Sequence, residues 1–408
     1  MCFIRNKCFV VLGMALMFIP VAAQENQWVK LGDFIGGKRE RAVSFSIENY
    51  GYVGTGTDTA EIVHDDFWKY DPSSDTWSQI ASLPGAARRD AVAFSLNGHG
   101  YVGTGMTDDV SAMGIILADF WRYDPTLNVW DSIAPYPGNN GGGVYFSTGF
   151  SVAGKGYVCG GKTGNSAYSN ELWEYKPASN VWFPRAPFPT GIRYMHSSFA
   201  IGNYAYVGFG ATQDVYKRDL YRYNPGNNQW LQMPDLPGNV RGSASTFVLQ
   251  DKGYICGGND GGLLDDLWEF DPLDQTWTLK AYYGGSERKN AISFSINNSF
   301  AVVGLGKGYS GKKASLYAYY PNQYLGQVSL EKEKITVFPN PGRMSIEIKN
   351  TPKNTAQIVC YNALGQQQEI FRKQPETDAF ANYPSGVYIL RFLTSQGEII
   401  DQEKLIIE

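Results

Sequence analysis

A short glycine-aromatic strand signature recurs six times, and it limits the possible folds more than any other feature of the chain. The copies read GYVGTG at 51–56 and 100–105, GYVCGG at 156–161, AYVGFG at 205–210, GYICGG at 253–258 and a worn AVVGLG at 301–306. Each is followed by an aromatic stretch closed by proline: DFWKYDP (66–72), DFWRYDP (119–125), ELWEYKP (171–177), DLYRYNP (219–225), DLWEFDP (266–272) and SLYAYYP (315–321). Trp77, Trp130, Trp182, Trp230 and Trp277 come next, at intervals of 53, 52, 48 and 47 residues. A period near 50 marks an array of like supersecondary units. Ahead of the signature, AVSFSI (42–47), AVAFSL (91–96) and AISFSI (291–296) alternate with the period of two expected of a half-buried strand. The Asp-Pro and Asn-Pro steps set turns, because proline fixes φ. Only 18% of the 408 residues are charged while 14% are aromatic, which argues against a helical bundle and against disorder.

These motifs resemble the kelch repeat, and the resemblance covers roughly residues 28–321. It implies an all-β fold, with one four-stranded propeller blade per copy. The sixth copy has no tryptophan after Pro321, whereas Trp28 precedes the first copy without a sheet of its own. The expectation is therefore a six-bladed kelch β-propeller over 24–321, closed by an N-terminal strand that completes the last blade. Five or seven blades are the alternatives. Closure of this kind removes two exposed sheet edges.

Both ends of the chain read as export signals. Arg5 and Lys7 precede an apolar run from Phe9 to Ile19, and Val21-Ala22-Ala23 ends in small residues, the pattern of a signal peptide over 1–23. The run is too short to span a bilayer, and an uncleaved anchor is the alternative. Removal of that segment takes the net charge from −4 to −6, and neither value gives a footprint for nucleic acid. Residues 322–334 are polar and read as a linker. Beyond them ITVFPNP (335–341), IVCYNALGQ (358–366), YPSGVYILRF (383–392) and KLIIE (404–408) fit a small antiparallel β-sandwich over 335–408. These pieces closely resemble the type A C-terminal sorting domain of the type IX secretion system, with Phe338 where the family has Tyr. The resemblance implies export across the outer membrane, with the type IX machinery as partner and a secreted or outer-surface destination. A carbohydrate-binding or adhesive sandwich is the other reading.

One column of the aligned copies carries charge at the start of the first strand: Arg39, Arg88, Val144, Arg193, Arg241 and Arg288. The first strand of a propeller blade is innermost, so the five arginines are expected to ring the mouth of the central channel. There they would suit a carboxylate or phosphate ligand. A second column, Asp66, Asp119, Glu171, Asp219 and Asp266, opens the third strand on the same face, so the two columns could instead pair. Both readings stand at this point.

Other chemistry is sparse. His64, His99 and His196 are the only histidines and have no zinc spacing. The ligand set of a galactose-oxidase-like copper enzyme cannot be assembled. Asp260, Asp265 and Asp266 lie among glycines at 257–266, where calcium or a polar loop would fit. Cys159, Cys256 and Cys360 form no disulfide framework and read as small buried hydrophobes. No cofactor, metal or catalytic residue is assigned. The leading reading is a secreted or cell-surface module that binds glycans or proteins at its loop face. The alternative is a mutarotase or epimerase for an anionic sugar, since sialic-acid mutarotases are six-bladed kelch propellers. Glu61, Glu287 and the third-strand acids are its unranked acid/base candidates. A structural surface scaffold is a third possibility.

Overall fold

Period-two alternation becomes strand in every copy. Val43, Phe45 and Ile47 turn inward along the first strand while Ser44 and Ser46 face the other way. The computed structural model describes residues 26–108, 114–164 and 167–321. In the C-terminal segment it describes 336–338, 347–349, 351, 355–363, 366–371, 375, 379–393 and 399–407. The signal-peptide reading at 1–23 and the linker at 322–334 lie outside the described residues. The chain divides into two units, Met1–Tyr324 and Leu325–Glu408.

Among the described residues of the first unit lie six four-stranded antiparallel sheets. The first runs Val43–Ile47, Tyr50–Gly54, Phe67–Asp71 and Thr76–Ile80. Sheets two to five repeat this up-and-down order. The sixth comprises Ile292–Ile296, Phe300–Gly304 and Leu316–Tyr320, and its outer strand is Gln27–Lys30 from the other end of the chain. There Trp28 lies opposite Tyr319. The first strands neighbour one another in sequence order, and the sixth returns to the first, so the sheets form a closed ring.

Aromatic packing holds neighbouring sheets together. Within a sheet Phe45 stacks on its cross-strand partner Tyr52 at 5.1 Å, a pair repeated as Phe94–Tyr101, Phe150–Tyr157, Phe199–Tyr206 and Phe247–Tyr254 at 5.0–5.3 Å. These tyrosines reach the next sheet, as Tyr52 does Tyr123, Tyr101 does Tyr175, Tyr157 does Tyr223 and Tyr254 does Tyr319, at 5.6–5.9 Å. The glycine before that tyrosine makes room for the neighbour. A Cβ on Gly51 would run into the ring of Phe294 from the sixth sheet. Outer-strand tryptophans clamp the joints by donating to a carbonyl of the preceding sheet: Trp130 to Ala81, Trp182 to Ala134, Trp230 to Ala186, Trp277 to Pro234 and Trp28 to Ala281, at 2.9–3.1 Å. At the seam between the sixth and first sheets the clamp differs. Trp77 packs edge-on against Phe34 at 4.8 Å, and the Gly32 N–H donates to Asp75 Oδ2 at 2.8 Å. Because Trp28 also lies edge-on to Tyr283 at 4.9 Å, Trp28→Ala should destabilise the first unit by about 2 kcal/mol, less than a fully buried tryptophan would lose. Urea unfolding monitored by far-ultraviolet circular dichroism measures the loss, and an unchanged midpoint would show that the joint between the fifth and sixth sheets does not depend on this tryptophan.

In the second unit, one antiparallel sheet has the order Gln367–Phe371, Gln357–Asn362, Gly386–Leu393 and Ile399–Ile407, and Thr336–Phe338 pairs with Glu347–Lys349 in a separate ladder. Ile348 of that ladder shares a core with Ile358, Cys360, Leu390, Phe392 and Leu405 of the sheet. No helix among the described residues is long and apolar enough to cross a membrane.

Candidate functional site

The arginine column pairs with the acidic column inside four of the six sheets. Arg39, Arg88, Arg193, Arg241 and Arg288 are all buried, none more than 3% exposed. Four make two-pronged bonds to the acid that opens their own third strand: Arg39 to Asp66, Arg88 to Asp119, Arg193 to Asp219 and Arg241 to Asp266, at 2.6–3.1 Å. The same guanidinium groups donate to the carbonyls of Thr55, Thr104, Phe209 and Gly257 just after the second strand. Each arginine thereby joins the entries of strands one and three to the exit of strand two. Trp68, Trp121 and Trp268 donate to the same carboxylates. Asp66 is pushed up by burial, but the bonds and charge of Arg39 outweigh this and hold it below the ordinary carboxylate range. In the third sheet Val144 replaces arginine, and the Asn139 N–H reaches Glu171 Oε2 at 3.0 Å in its stead. The five arginines therefore do not present their charge to the channel. None is among the residues that line the cavity at its mouth.

The mouth is built from the next two residues of each copy. The residue after the column forms a β-bridge to the end of strand two or the segment just beyond it, through Glu40–Thr57, Arg89–Met106, Tyr145–Lys162, Tyr194–Ala211, Gly242–Asn259 and Lys289–Lys307. The one after that is left-handed in all six copies: Arg41, Asp90, Phe146, Met195, Ser243 and Asn290, with φ of 52–59°. This conformation turns each N–H sideways onto the carbonyl of the preceding copy, at 2.8–3.2 Å, and the six bonds close a circle. A left-handed non-glycine residue costs about 1 kcal/mol or more, so the conformation is held by the circle rather than by residue preference. The six side chains line a cavity of about 130 Å³. Deeper in, Ser44, Ser95, Ser151, Ser198, Thr246 and Ser293 line a second space of about 210 Å³. Several of these hydroxyls tie neighbouring first strands together, as Ser44 does with the Ser293 carbonyl at 2.8 Å.

Charge and aromatic surface fall on opposite sides of the mouth. Sheets six, one and two bring Lys289, Asn290, Glu40, Arg41, Arg89 and Asp90. A side pocket of about 160 Å³ there is lined by Glu40, Arg41, Glu61, Arg89, Asp108 and Lys307. Arg89 Nη1 and Arg41 Nη1 both donate to Asp90 Oδ2, at 2.9 and 3.4 Å. Burial pushes the Asp90 carboxyl up to about 6, with the two arginines pulling it partly back. Sheets three and four bring Tyr145, Phe146, Tyr194 and Met195. Tyr168 stacks on Tyr194 at 4.9 Å, and Lys162 Nζ stands 4.4 Å from the Tyr194 ring centre.

The remaining candidates have structural partners. His196 is buried, and burial followed by the nearby Arg193 charge lowers it to about 3, so it is neutral at physiological pH. His64 bonds to Asp58 and His99 to the Asn97 carbonyl. Asp260 accepts from the Gly262 N–H and the Asn239 amide, and Asp266 is held by Arg241, so the loop at 257–266 uses two of its acids locally. No group of three or more metal-ligating side chains gathers among the described residues. Cys159, Cys256 and Cys360 are buried and free. Glu61 pairs with Lys312 at 2.9 Å. Asp90 and Phe146 were not singled out in the sequence. The available signal was the pair of residues after each column position, which changes from copy to copy while the arginine stays.

Ring, repeat and buried columns define a β-propeller of repeated four-stranded units. The KLHDC2/KLHL20/DRC7 kelch-repeats domain model matches residues 143–304, and the secretion system C-terminal sorting domain model matches residues 336–408. The chain is a kelch-repeat protein carrying a type IX sorting tail. Such a tail implies export, to the cell surface or beyond it. No curated protein matches the chain. The solved structure of YjhT superposes with a TM-score of 0.59 at 16% identity, over 71% of this chain and 95% of that one, which supports the fold alone.

Proposed function

We propose that the protein is a secreted or surface-held six-bladed kelch propeller that binds a glycan or protein partner on the face carrying the channel mouth. A signal peptide at 1–23 and a sandwich-like sorting domain at 335–408 would serve its export. The observation that carries this reading is the contrast between the uniform Arg–acid columns and the residues beside them. Six copies repeat one scaffold, yet the position that lines the mouth holds Arg, Asp, Phe, Met, Ser and Asn in turn, and the position before it holds Glu, Arg, Tyr, Tyr, Gly and Lys. Repetition serves stability, and departures gathered around one cavity are what recognition of an asymmetric ligand requires.

A glycan array and a proximity-labelling screen, both run with the full chain, test the reading. Phe146→Ala should weaken the ligand found by tenfold or more while leaving the unfolding midpoint within about 2 °C, since its ring is only half-buried. Binding that ignores both Phe146→Ala and Asp90→Asn would move the site away from the mouth. The second reading, a mutarotase or epimerase for an anionic sugar, is favoured by Asp90. Its carboxyl, near 6 inside a cavity, is suited to moving a proton at neutral pH. Anomer exchange of sialic acid followed by NMR decides it: exchange that Asp90→Asn abolishes supports the enzyme, and binding without exchange supports the module.

A further inference from the structure

The sixth sheet breaks the charge pairing of the others. Arg288 is 3% exposed, like its four counterparts, but Ser315 stands where they have aspartate. Its Nε donates to the Ser286 carbonyl at 3.0 Å, as Arg88 and Arg241 do to their own loops, and its Nη1 donates to the Leu305 carbonyl at 3.1 Å, as in all four other copies. Toward the third strand only long contacts remain: Nη1 to the Ser315 carbonyl and Oγ, each at 3.4 Å, and Nη2 to Ser315 Oγ at 3.3 Å. Among the described residues no carboxylate lies within ion-pair distance of this guanidinium. A buried cation without a counter-charge is costly, and the Tyr283 ring 4.6 Å beneath it compensates only in part.

The other sheets show what fits the gap. A Cβ on Gly85 in the second sheet would meet Arg88 Nη2, Asp119 Oδ2 and Trp121 Nε1. A Cβ on Gly285, the matching glycine of the sixth, would meet Arg288 Nη2, Tyr283 and Tyr317, with no acid in the corner. The carboxylates of Asp66, Asp119, Asp219 and Asp266 keep 15–35% of their side-chain surface, so solvent reaches this position in the four complete copies. Ser315 is likewise half-buried.

We propose that Arg288 Nη1 and Nη2, with the Ser315 hydroxyl, form a site for an external carboxylate, which takes the place of the missing aspartate. The site belongs to the sixth sheet alone and does not depend on the channel-mouth reading. The carboxylate comes either from a small free acid or from an acidic side chain of a docked protein.

Thermal unfolding of the full chain, with acetate titrated at constant ionic strength, tests the proposal. The wild-type midpoint should rise saturably, by about 1–2 °C. Ser315→Asp should begin about 2–4 °C higher and no longer respond to acetate, because its own carboxylate fills the site. Ser315→Asn fills the same space without charge and should begin no higher than wild type. A flat wild-type titration would overturn the proposal. So would an acetate response that Ser315→Asp leaves intact, which would mark an adventitious ion only, or a gain from Ser315→Asn equal to that from Ser315→Asp. A blocked aspartyl peptide run beside acetate separates the two sources: stabilisation by both admits a side chain, and stabilisation by acetate alone restricts the site to small acids.

Discussion

Arg39→Ala is expected to destabilise the first unit by about 3–5 kcal/mol, the loss typical when one partner of a buried ion pair is removed. Arg39 is 1% exposed and Asp66 keeps 17% of its side-chain surface. The guanidinium also bonds the carbonyls of Gly36 and Thr55 and lies 5.1 Å from the Phe34 ring. Deletion therefore orphans two carbonyls and a carboxylate at once. Asp66 is held below the ordinary value of 3.8, so its contribution is present above that pH and fades as pH falls through the lower folded value. The deficit of Arg39→Ala should accordingly be full at pH 7 and shrink in strong acid. A paired variant, Arg39→Met with Asp66→Asn, keeps an acceptor for Trp68 and leaves no buried charge alone, so it should lose less than Arg39→Ala. Denaturant midpoints for the three chains at pH 7 decide it. A single variant within 0.5 kcal/mol of wild type would mean that the columns do not brace the sheets.

Much of this architecture is written in local pattern. The Phe-Ser alternation, the Gly-Tyr step and the Asp-Pro turn each have a short-range physical cause, and their sixfold recurrence multiplies the signal. The tryptophan spacing left Trp28 as an outer strand without a sheet, and Gln27–Lys30 lies against Leu316–Tyr320. The two charged columns could be aligned for the same reason. Their partners could be named because the arginines stand twelve residues before the glycine signature, or thirteen for Arg288, and each acid stands six residues before the turn proline.

Direction was harder to read. A residue in a turn before a strand does not obey the strand's pleat, so the sequence could not say whether Arg39 or Arg41 faces the channel. The left-handed backbone at Arg41, Asp90, Phe146, Met195, Ser243 and Asn290 decides the matter. Only the two Asn/Asp members are types that favour that conformation. It arises from the circle of bonds between copies, a long-range cause with no local mark. The third sheet shows the same limit. Val144 was visible as an exception, but the Asn139 N–H that replaces an arginine comes from an inserted loop and has no counterpart to align.

Asp90 supplies the second large expectation, and its sign is opposite to that of Asp66. Its side chain is 2% exposed, and Arg41, Arg89, Glu40 and Tyr145 surround it. Burial lifts its carboxyl from 3.8 to about 6 in the folded chain. Between those values the folded state holds a proton that the unfolded state has released. Stability from this group therefore falls as pH rises through the window. The cost is fully present above about 6 and absent below 3.8, with a span on the order of 3 kcal/mol. Asp90→Asn keeps the shape and cannot titrate. The stability difference between wild type and Asp90→Asn should change by roughly that amount between pH 4 and pH 7, while acids such as Asp66 cancel because both chains carry them. Parallel profiles would place the carboxyl in its ordinary range and remove it as a proton carrier. A slope confined to this window would mean that protonation changes the mouth near pH 6. Below that pH Asp90 would donate a hydrogen bond to a ligand, and above it accept one, so affinity for any partner seated there should depend on pH in the wild type and lose that dependence in Asp90→Asn.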